Sequence, residues 1–458
     1  MGDKAISVKK ISFLIIFVCF LMGCSKQESI PLPPAPDKNE QLEPVSTQLQ
    51  VNIFLDPTLS MQGFVNPGTS TYYAQTLPIL ESAVISGWAN ASTKFYTFSD
   101  KNSEIKDRGY LKANLPDLYK IKDDKDKFVS TFIDKAITHS DENAEQNVNK
   151  NNLKIIVTDL FQNDSDVNLL TKKLKEHYIV KNLAVGILGV KSQFNGTVYD
   201  VGINRYSFGY ISNNQNPASF RPFYVLILGK HADVMHYYER LKNGGLNGFN
   251  TEKNFVIFSP YLTAPLSSFE GAKIHNTSKL SPVGSLLKGD VKDNRIKQFQ
   301  IKGGAEKASF NVTLKYNRLP ETMEFNPNKV ESKITIIESI KGNKIVGRED
   351  NNLEVKPVSL GNEGLTLAFE LVAAKLIINK IYPYEIVLRP LSNAYSMPQW
   401  ISEWDMDINR IEEWRQRPNN FNGAVTINLK HFLTEVWQAT VEVHHPTIAK
   451  LYCYVKKE

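Results

Sequence analysis

Two apolar runs of strand length, each ending on an aspartate, constrain this chain more than anything else in it. The first is Val51-Asn-Ile-Phe-Leu55, which runs into Asp56. The second is Leu153-Lys-Ile-Ile-Val-Thr158, which runs into Asp159. Short apolar runs bounded by turn residues suit strands covered on both faces. The first run cannot continue, because Pro57 removes a ladder donor and Gly63 and Pro67-Gly68 mark loop. Asp56 is therefore placed at the carboxyl end of a buried strand, with Thr58 and Ser60 in the turn above it. One carboxylate and two hydroxyls converging there make an all-oxygen set, which hard cations such as Mg²⁺ prefer.

The residues between and after these runs alternate. Thr76-Leu77-Pro78 predicts a helix start, with Leu77, Leu80, Val84 and Ile85 as its apolar face and Gly87 as its end. Lys94–Ser99 reads as a strand. Phe128, Phe132, Ile133, Ala136 and Ile137 recur at helical spacing and predict a helix over 126–138. A helix follows Asp164 or Ser165, then come strands at Leu183–Val190 and Phe223–Leu228 and a helix over Ala232–Leu241. Residues 191–220, rich in Asn, Gly, Tyr and Ser, read as an inserted hairpin or long loop. This alternation predicts an α/β domain over 49–260, built on a doubly wound, mostly parallel sheet covered on both faces. Ligands of such sheets bind outside the carboxyl ends of the strands, where the strand order reverses.

Asp56-x-Thr58-x-Ser60, followed by Met61-Gln62-Gly63-Phe64, resembles the metal-ion-dependent adhesion site of von Willebrand factor type A (vWA) domains. The family pattern is usually D-x-S-x-S, so Thr58 is a departure. The resemblance covers residues 50–245. It implies a 3-2-1-4-5-6 strand order, in which the strands ending at Asp56 and Asp159 are neighbours at the switch point. The family's second aspartate usually stands in T-D-G; here the residues are Thr158-Asp159-Leu160. Its threonine at a helix start matches the spacing of Thr131, in Thr131-Phe-Ile-Asp-Lys-Ala-Ile. The implied site is Asp56, Thr58, Ser60, Thr131 and Asp159 around Mg²⁺, with Mn²⁺ or Ca²⁺ as alternatives. One open position on the ion would take a carboxylate from a partner protein. Two other readings stay open: a structural or assembly protein of this fold with an empty metal site, and an anchored hydrolase using the same acidic crevice.

The N-terminus reads as targeting. Lys4, Lys9 and Lys10 precede an apolar run, Ile11 to Met22, that is short for a bilayer span. It ends Leu21-Met22-Gly23-Cys24, which resembles a bacterial lipobox, so residues 1–23 are expected to leave and Cys24 to be acylated. Several acyl chains anchor stably where one is marginal. The expected location is extracytoplasmic and membrane-anchored; Ser25 after the cysteine resembles an outer-membrane address in a Gram-negative host. Residues 24–48, with Pro31, Pro33, Pro34, Pro36 and Pro44, read as a semi-extended tether.

From about 261 to 458 the pattern turns to β. Ile296–Ile301, Ser309–Tyr316, Ser332–Ile340, Leu365–Val372 and Tyr384–Leu388 read as strands of one or two β-sandwich domains, with Ala449–Val455 closing. Thr426–Trp437 reads as a short helix. Trp400, Trp404 and Trp414 lie among acidic residues and are expected to pin an irregular segment onto the β core.

Composition excludes more than it proposes. The formal net charge is +6; the three lysines and one aspartate of 1–23 contribute +2, leaving a mild +4 with no basic cluster. That argues against a nucleic-acid partner. Cys19 leaves with the signal and Cys24 is acylated, so Cys453 has no partner for an intramolecular disulfide. No nucleophile elbow, P-loop, H-E-x-x-H or cysteine pair occurs, and the eight histidines are scattered. A non-enzymatic binding protein is the first reading, and plentiful serines and acids keep the hydrolase reading open beside it.

Overall fold

Seven strands assemble around the two aspartate-ended runs. They are β1 (Gln48–Leu55), β2 (Asn90–Thr97), β3 (Ser103–Ile105), β4 (Asn152–Thr158), β5 (Ala184–Ser192), β6 (Arg221–Gly229) and β7 (Phe255–Phe258). The computed structural model describes residues 30–34, 43–98, 101–119, 132–139, 152–160, 164–199, 207–249, 254–261, 268–284, 286, 295–315, 323–391, 393–406 and 422–458. The fold is mixed α/β, with more sheet than helix. The sheet order is β3-β2-β1-β4-β6-β5-β7.

β1 pairs in parallel with β2 on one side and β4 on the other. The strands that end on Asp56 and Asp159 are therefore neighbours, and the strand order reverses between them. The rest of the sheet departs from the expected mostly parallel arrangement. β3 on β2, β6 on β4, β6 on β5 and β7 on β5 are all antiparallel. The cause is the connection from β5 to β6. Parallel neighbours need a crossover, commonly a helix. Between Ser192 and Arg221 the described residues hold only a hairpin, Asn195–Val198 with Phe208–Ile211, and a 3₁₀ turn. β6 therefore returns antiparallel beside β5 and slots between β5 and β4.

Helices cover both faces. On one face α1 (Tyr72–Gly87) and α4 (His231–Asn243) bury Leu77, Leu80, Val84, Val234, Tyr237 and Leu241 against Val51, Ile53, Ile155 and Val225. α1 begins earlier than its sequence predicts: Thr71 is the cap, accepting from Ala74 N at 3.2 Å. Thr76 lies inside the helix and donates to the Tyr72 carbonyl at 2.7 Å. Pro78 is inside too, where it cannot bond back to the Ala74 carbonyl. α2 (Ile133–Thr138) and α3 (Asp164–His177) cover the other face. The predicted start of the 126–138 helix, with Thr131, lies outside the described residues.

α4 opens with His231, which is buried, its Nδ1 2.8 Å from the Ser259 hydroxyl. Burial pulls its pKa down to about 4. A histidine held neutral in the folded state stabilises fully above its ordinary pKa of 6.5 and stops stabilising as pH falls through 4. In urea unfolding, the stability of the wild type relative to His231→Gln is expected to fall by up to about 3 kcal/mol over that window. His231→Gln should flatten this part of the pH profile; an unchanged profile would rule the assignment out.

Among the described residues, the longer of the later strands form one sandwich. β8 (Lys273–Ser278), β11 (Ala308–Leu314), β15 (Gly364–Leu371) and β14 (Leu353–Gly361) make one sheet, in the order β8-β11-β15-β14. The other, in the order β9-β10-β17-β16-β12-β13, comprises β9 (Leu280–Pro282), β10 (Ile296–Ile301), β12 (Val330–Lys341), β13 (Lys344–Glu349), β16 (Ile381–Pro390) and β17 (Ala449–Lys457). Phe299, Phe310, Leu367, Phe369, Ile386 and Leu451 fill the space between. Cys453 is buried there, and burial pushes its thiol pKa far up, so it is inert.

The Trp-rich segment does not pin onto the β core. Trp400 and Trp404 lie in α5 (Gln399–Trp404) and pack with Leu429, Phe432, Leu433, Val436 and Trp437 of α6 (Leu429–His444) on the α/β sheet, against Phe54, Tyr224 and Ile187. Trp414 lies outside the described residues. The described parts of the tether are docked as well. Ser46 donates from N and Oγ to Asp233, each at 2.7 Å, and Lys230 meets Glu43 at 3.2 Å.

Candidate metal centre

β1 and β4 end at the same level, and one backbone bond fixes them there. Asp56 N donates to the Val157 carbonyl at 3.0 Å. The Asp56 carboxylate is then held from two sides: Oδ1 accepts from Thr58 N at 3.0 Å and Oδ2 from Thr158 Oγ1 at 2.7 Å. Pro57 stops the ladder, and the chain folds into one helical turn, Leu59–Gln62, with Thr58 at its N-cap. Thr58 uses no side-chain cap bond. Its hydroxyl instead lies 2.9 Å from that of Ser60.

Asp159 follows β4 directly. Leu160, next in the chain and buried, takes φ 50°, a left-handed conformation rare outside glycine. The vWA pattern has glycine at this point. Asp159 Oδ2 accepts from Arg221 at 3.2 Å, with both side chains 0–1% exposed. Asp159 Oδ1 is buried with no hydrogen-bond partner among the described residues.

Arg221 was not legible as a site residue. It is the first residue of β6, and the antiparallel insertion of that strand sets it above the end of β4. Its second terminal nitrogen donates to the Gly423 carbonyl at 3.1 Å, and the Phe194 ring lies 5.4 Å from the guanidinium carbon. The hairpin strand after Phe194 also lies over the Asp56 turn. Asn195 N donates to the Gly63 carbonyl at 2.7 Å, and Asn66 donates to the Asn195 carbonyl at 2.7 Å. A Cβ on Gly63 would fall 2.3 Å from the Phe194 ring, so only glycine fits there.

The electrostatics are those of a cluster short of positive charge. Burial first, and the Asp159 charge second, raise the Asp56 pKa to about 7. The same two carboxylates, after burial, help push the buried Tyr73 phenol far up. Tyr73 and Tyr119, their hydroxyls 3.0 Å apart, thus stay neutral beside the site.

The site thus brings together Asp56, Thr58, Ser60 and Asp159; Thr131 lies outside the described residues. The donors suit a hard divalent ion. At Mg–O distances of about 2.1 Å, adjacent vertices of an octahedron are about 3 Å apart, close to the Thr58–Ser60 hydroxyl separation. The partnerless Asp159 Oδ1 offers a further oxygen. Neither histidine nor cysteine takes part, which disfavours Zn²⁺. Comparison with family models, curated proteins and solved structures finds no match to this chain.

Proposed function

We propose that this chain is a lipid-anchored extracytoplasmic protein, not an enzyme, whose vWA-like α/β domain binds another protein with the help of Mg²⁺. Asp56, Thr58, Ser60 and Asp159 would hold the ion, with Thr131 as the remaining hydroxyl implied by the family pattern. When bound, the ion supplies a Lewis-acidic vertex for a carboxylate of the partner. The observation that carries this reading is the convergence of two buried carboxylates and two paired hydroxyls at neighbouring strand ends, with one carboxylate oxygen left partnerless. The left-handed backbone at Leu160 adds to it. Acylated Cys24 is the anchor, at the outer membrane if the host is Gram-negative.

A second reading has its own observation behind it. Arg221 already sets one positive charge against Asp159 in a buried pair, under the hairpin and the Gly423 carbonyl. On that reading the domain is an assembly module locked by arginine, with no ion.

Thermal unfolding in the presence of Mg²⁺ separates the two. At one hundred times its dissociation constant, a ligand of the native state adds about 2.7 kcal/mol. Mg²⁺ should stabilise the wild type and leave Asp56→Ala unmoved. No stabilisation of the wild type up to millimolar Mg²⁺ would leave the arginine-locked reading standing.

A further inference from the structure

The residues nearest the anchor are strapped to the sandwich, and the strap has a direction. Tyr454 Oη donates to the Pro31 carbonyl, and Arg295 donates to the carbonyls of Pro34 and, at 3.2 Å, Pro33. Ile30 packs with Ile296, Ile337, Tyr452 and Tyr454, an apolar stripe on the outer face of the six-stranded sheet. Tyr454 pairs with Gln298, and Arg295 precedes the pair Ile296–Tyr452. From Pro34 back to Pro31 the strap therefore advances along β10 towards Ile301 and Lys457. Three residues of polyproline II cover about 9 Å, matching the roughly 10 Å of three strand residues.

That end of the sandwich carries an unusual loop, Leu376-Ile-Ile-Asn-Lys380. Ile377 and Ile378 are adjacent and 62% and 58% exposed. Asn379 N bonds to the Lys457 carbonyl at 2.8 Å, which ties the loop to the end of β17. Lys375 and Lys380 flank the isoleucines, and Lys302, Lys341 and Lys344 lie on neighbouring turns at the same end; all five are exposed. Among the described residues, Glu306 and Glu458 are carboxylates at this end, and Glu354 and Glu370 stand at the adjoining end of the four-stranded sheet. Two apolar side chains ringed by lysines suit an interface in which the isoleucines enter the acyl boundary and the lysines meet lipid phosphates.

We infer that the loop at Ile377–Ile378, with its lysines, is a second membrane contact, which seats the sandwich end-on against the bilayer that holds the anchor. This rests on the acylation of Cys24 proposed above. Cys24 is six residues before Ile30, at most about 20 Å of chain, and the strap points Ile30 to this end. Without the strap, the 19 residues to Glu43, which is docked on Lys230, would allow about 65 Å and no fixed orientation.

The test uses the mature acylated protein in phosphatidylethanolamine/phosphatidylglycerol vesicles. Ile378→Cys and, as control, Ile211→Cys (72% exposed on the α/β hairpin) each carry a spin label. The label at 378 should be on the order of tenfold less accessible to a water-borne paramagnetic reagent than the control, as for a group at the acyl boundary. Equal accessibility of the two labels on an acylated protein overturns the proposal alone. Equal protection of the unacylated protein in buffer, with neither vesicles nor detergent, also overturns it, because a second copy is then the cover. A mass spectrum with no acyl chain on Cys24 overturns the anchor reading and this proposal with it.

Discussion

Arg221→Met lowers the unfolding free energy of the α/β domain by about 3–5 kcal/mol, the usual cost of removing one partner from a buried ion pair. Methionine keeps most of the stem and its packing on Phe194, so the loss is one of charge. Asp159 then stands buried with no counter-charge, next to a second buried carboxylate. The Gly423 carbonyl loses its donor at the same time. Adding Asp159→Asn should return more than half of the loss, because a buried amide is cheaper to strand than a buried charge. Mg²⁺ sharpens the outcome: if the ion binds at Asp159, it should stabilise Arg221→Met more than the wild type. Urea titration followed by far-UV circular dichroism reads all three. A cost below about 1 kcal/mol for Arg221→Met would mean the pair is open to water, where ion pairs are worth that little.

The two aspartates were legible because each one interrupts an apolar run, and an interrupted run fixes where a strand must end. Their adjacency was only implied, by the resemblance to the vWA strand order; in the structure it comes from the crossing of the β2-to-β4 connection over β1. Arg221 stayed hidden for the opposite reason. Arg-Pro-Phe-Tyr-Val reads as a strand starting at Phe223, and an arginine at its margin looks solvated. The signal that could have found it is the 191–220 stretch, which reads as a hairpin or loop and not a helix; such a connection returns antiparallel and brings the first residue of β6 to the carboxyl ends of β4 and β5. α6 shows the limit of pattern in another way. Leu429, Phe432, Leu433, Val436 and Trp437 declare an amphipathic helix, but nothing local says which sheet receives it. β13 and β8, Lys-Ile-Val-Gly-Arg-Glu and Lys-Ile-His-Asn-Thr-Ser, were missed because outer strands carry too few apolar residues to alternate clearly. The strap escaped because a proline-rich segment reads the same whether free or docked.

In chelator, the wild type should lose stability as pH rises from about 4 to about 7, and Asp56→Asn should not. Burial, and then the charge of Asp159, hold the folded Asp56 pKa at about 7 against an ordinary value of 3.8. A carboxyl whose folded pKa lies above its unfolded one stabilises fully while both states are protonated, below about pH 4. That contribution fades as pH climbs through 7, because the folded state must then carry a charge it solvates poorly. The gap of about three units corresponds to about 4 kcal/mol at most. His231 acts in the opposite sense over an overlapping range, so the difference between wild type and Asp56→Asn is the quantity to read, not either curve alone. Saturating Mg²⁺ should erase the difference near pH 7, since a divalent charge beside Asp56 favours its ionised form. The same ion should do nothing for Asp56→Asn, whose amide is a poorer ligand. Two parallel pH curves in chelator would show that Asp56 is ionised at no cost. The carboxylates would then lack the unmet charge that makes an ion at this sheet edge worth proposing.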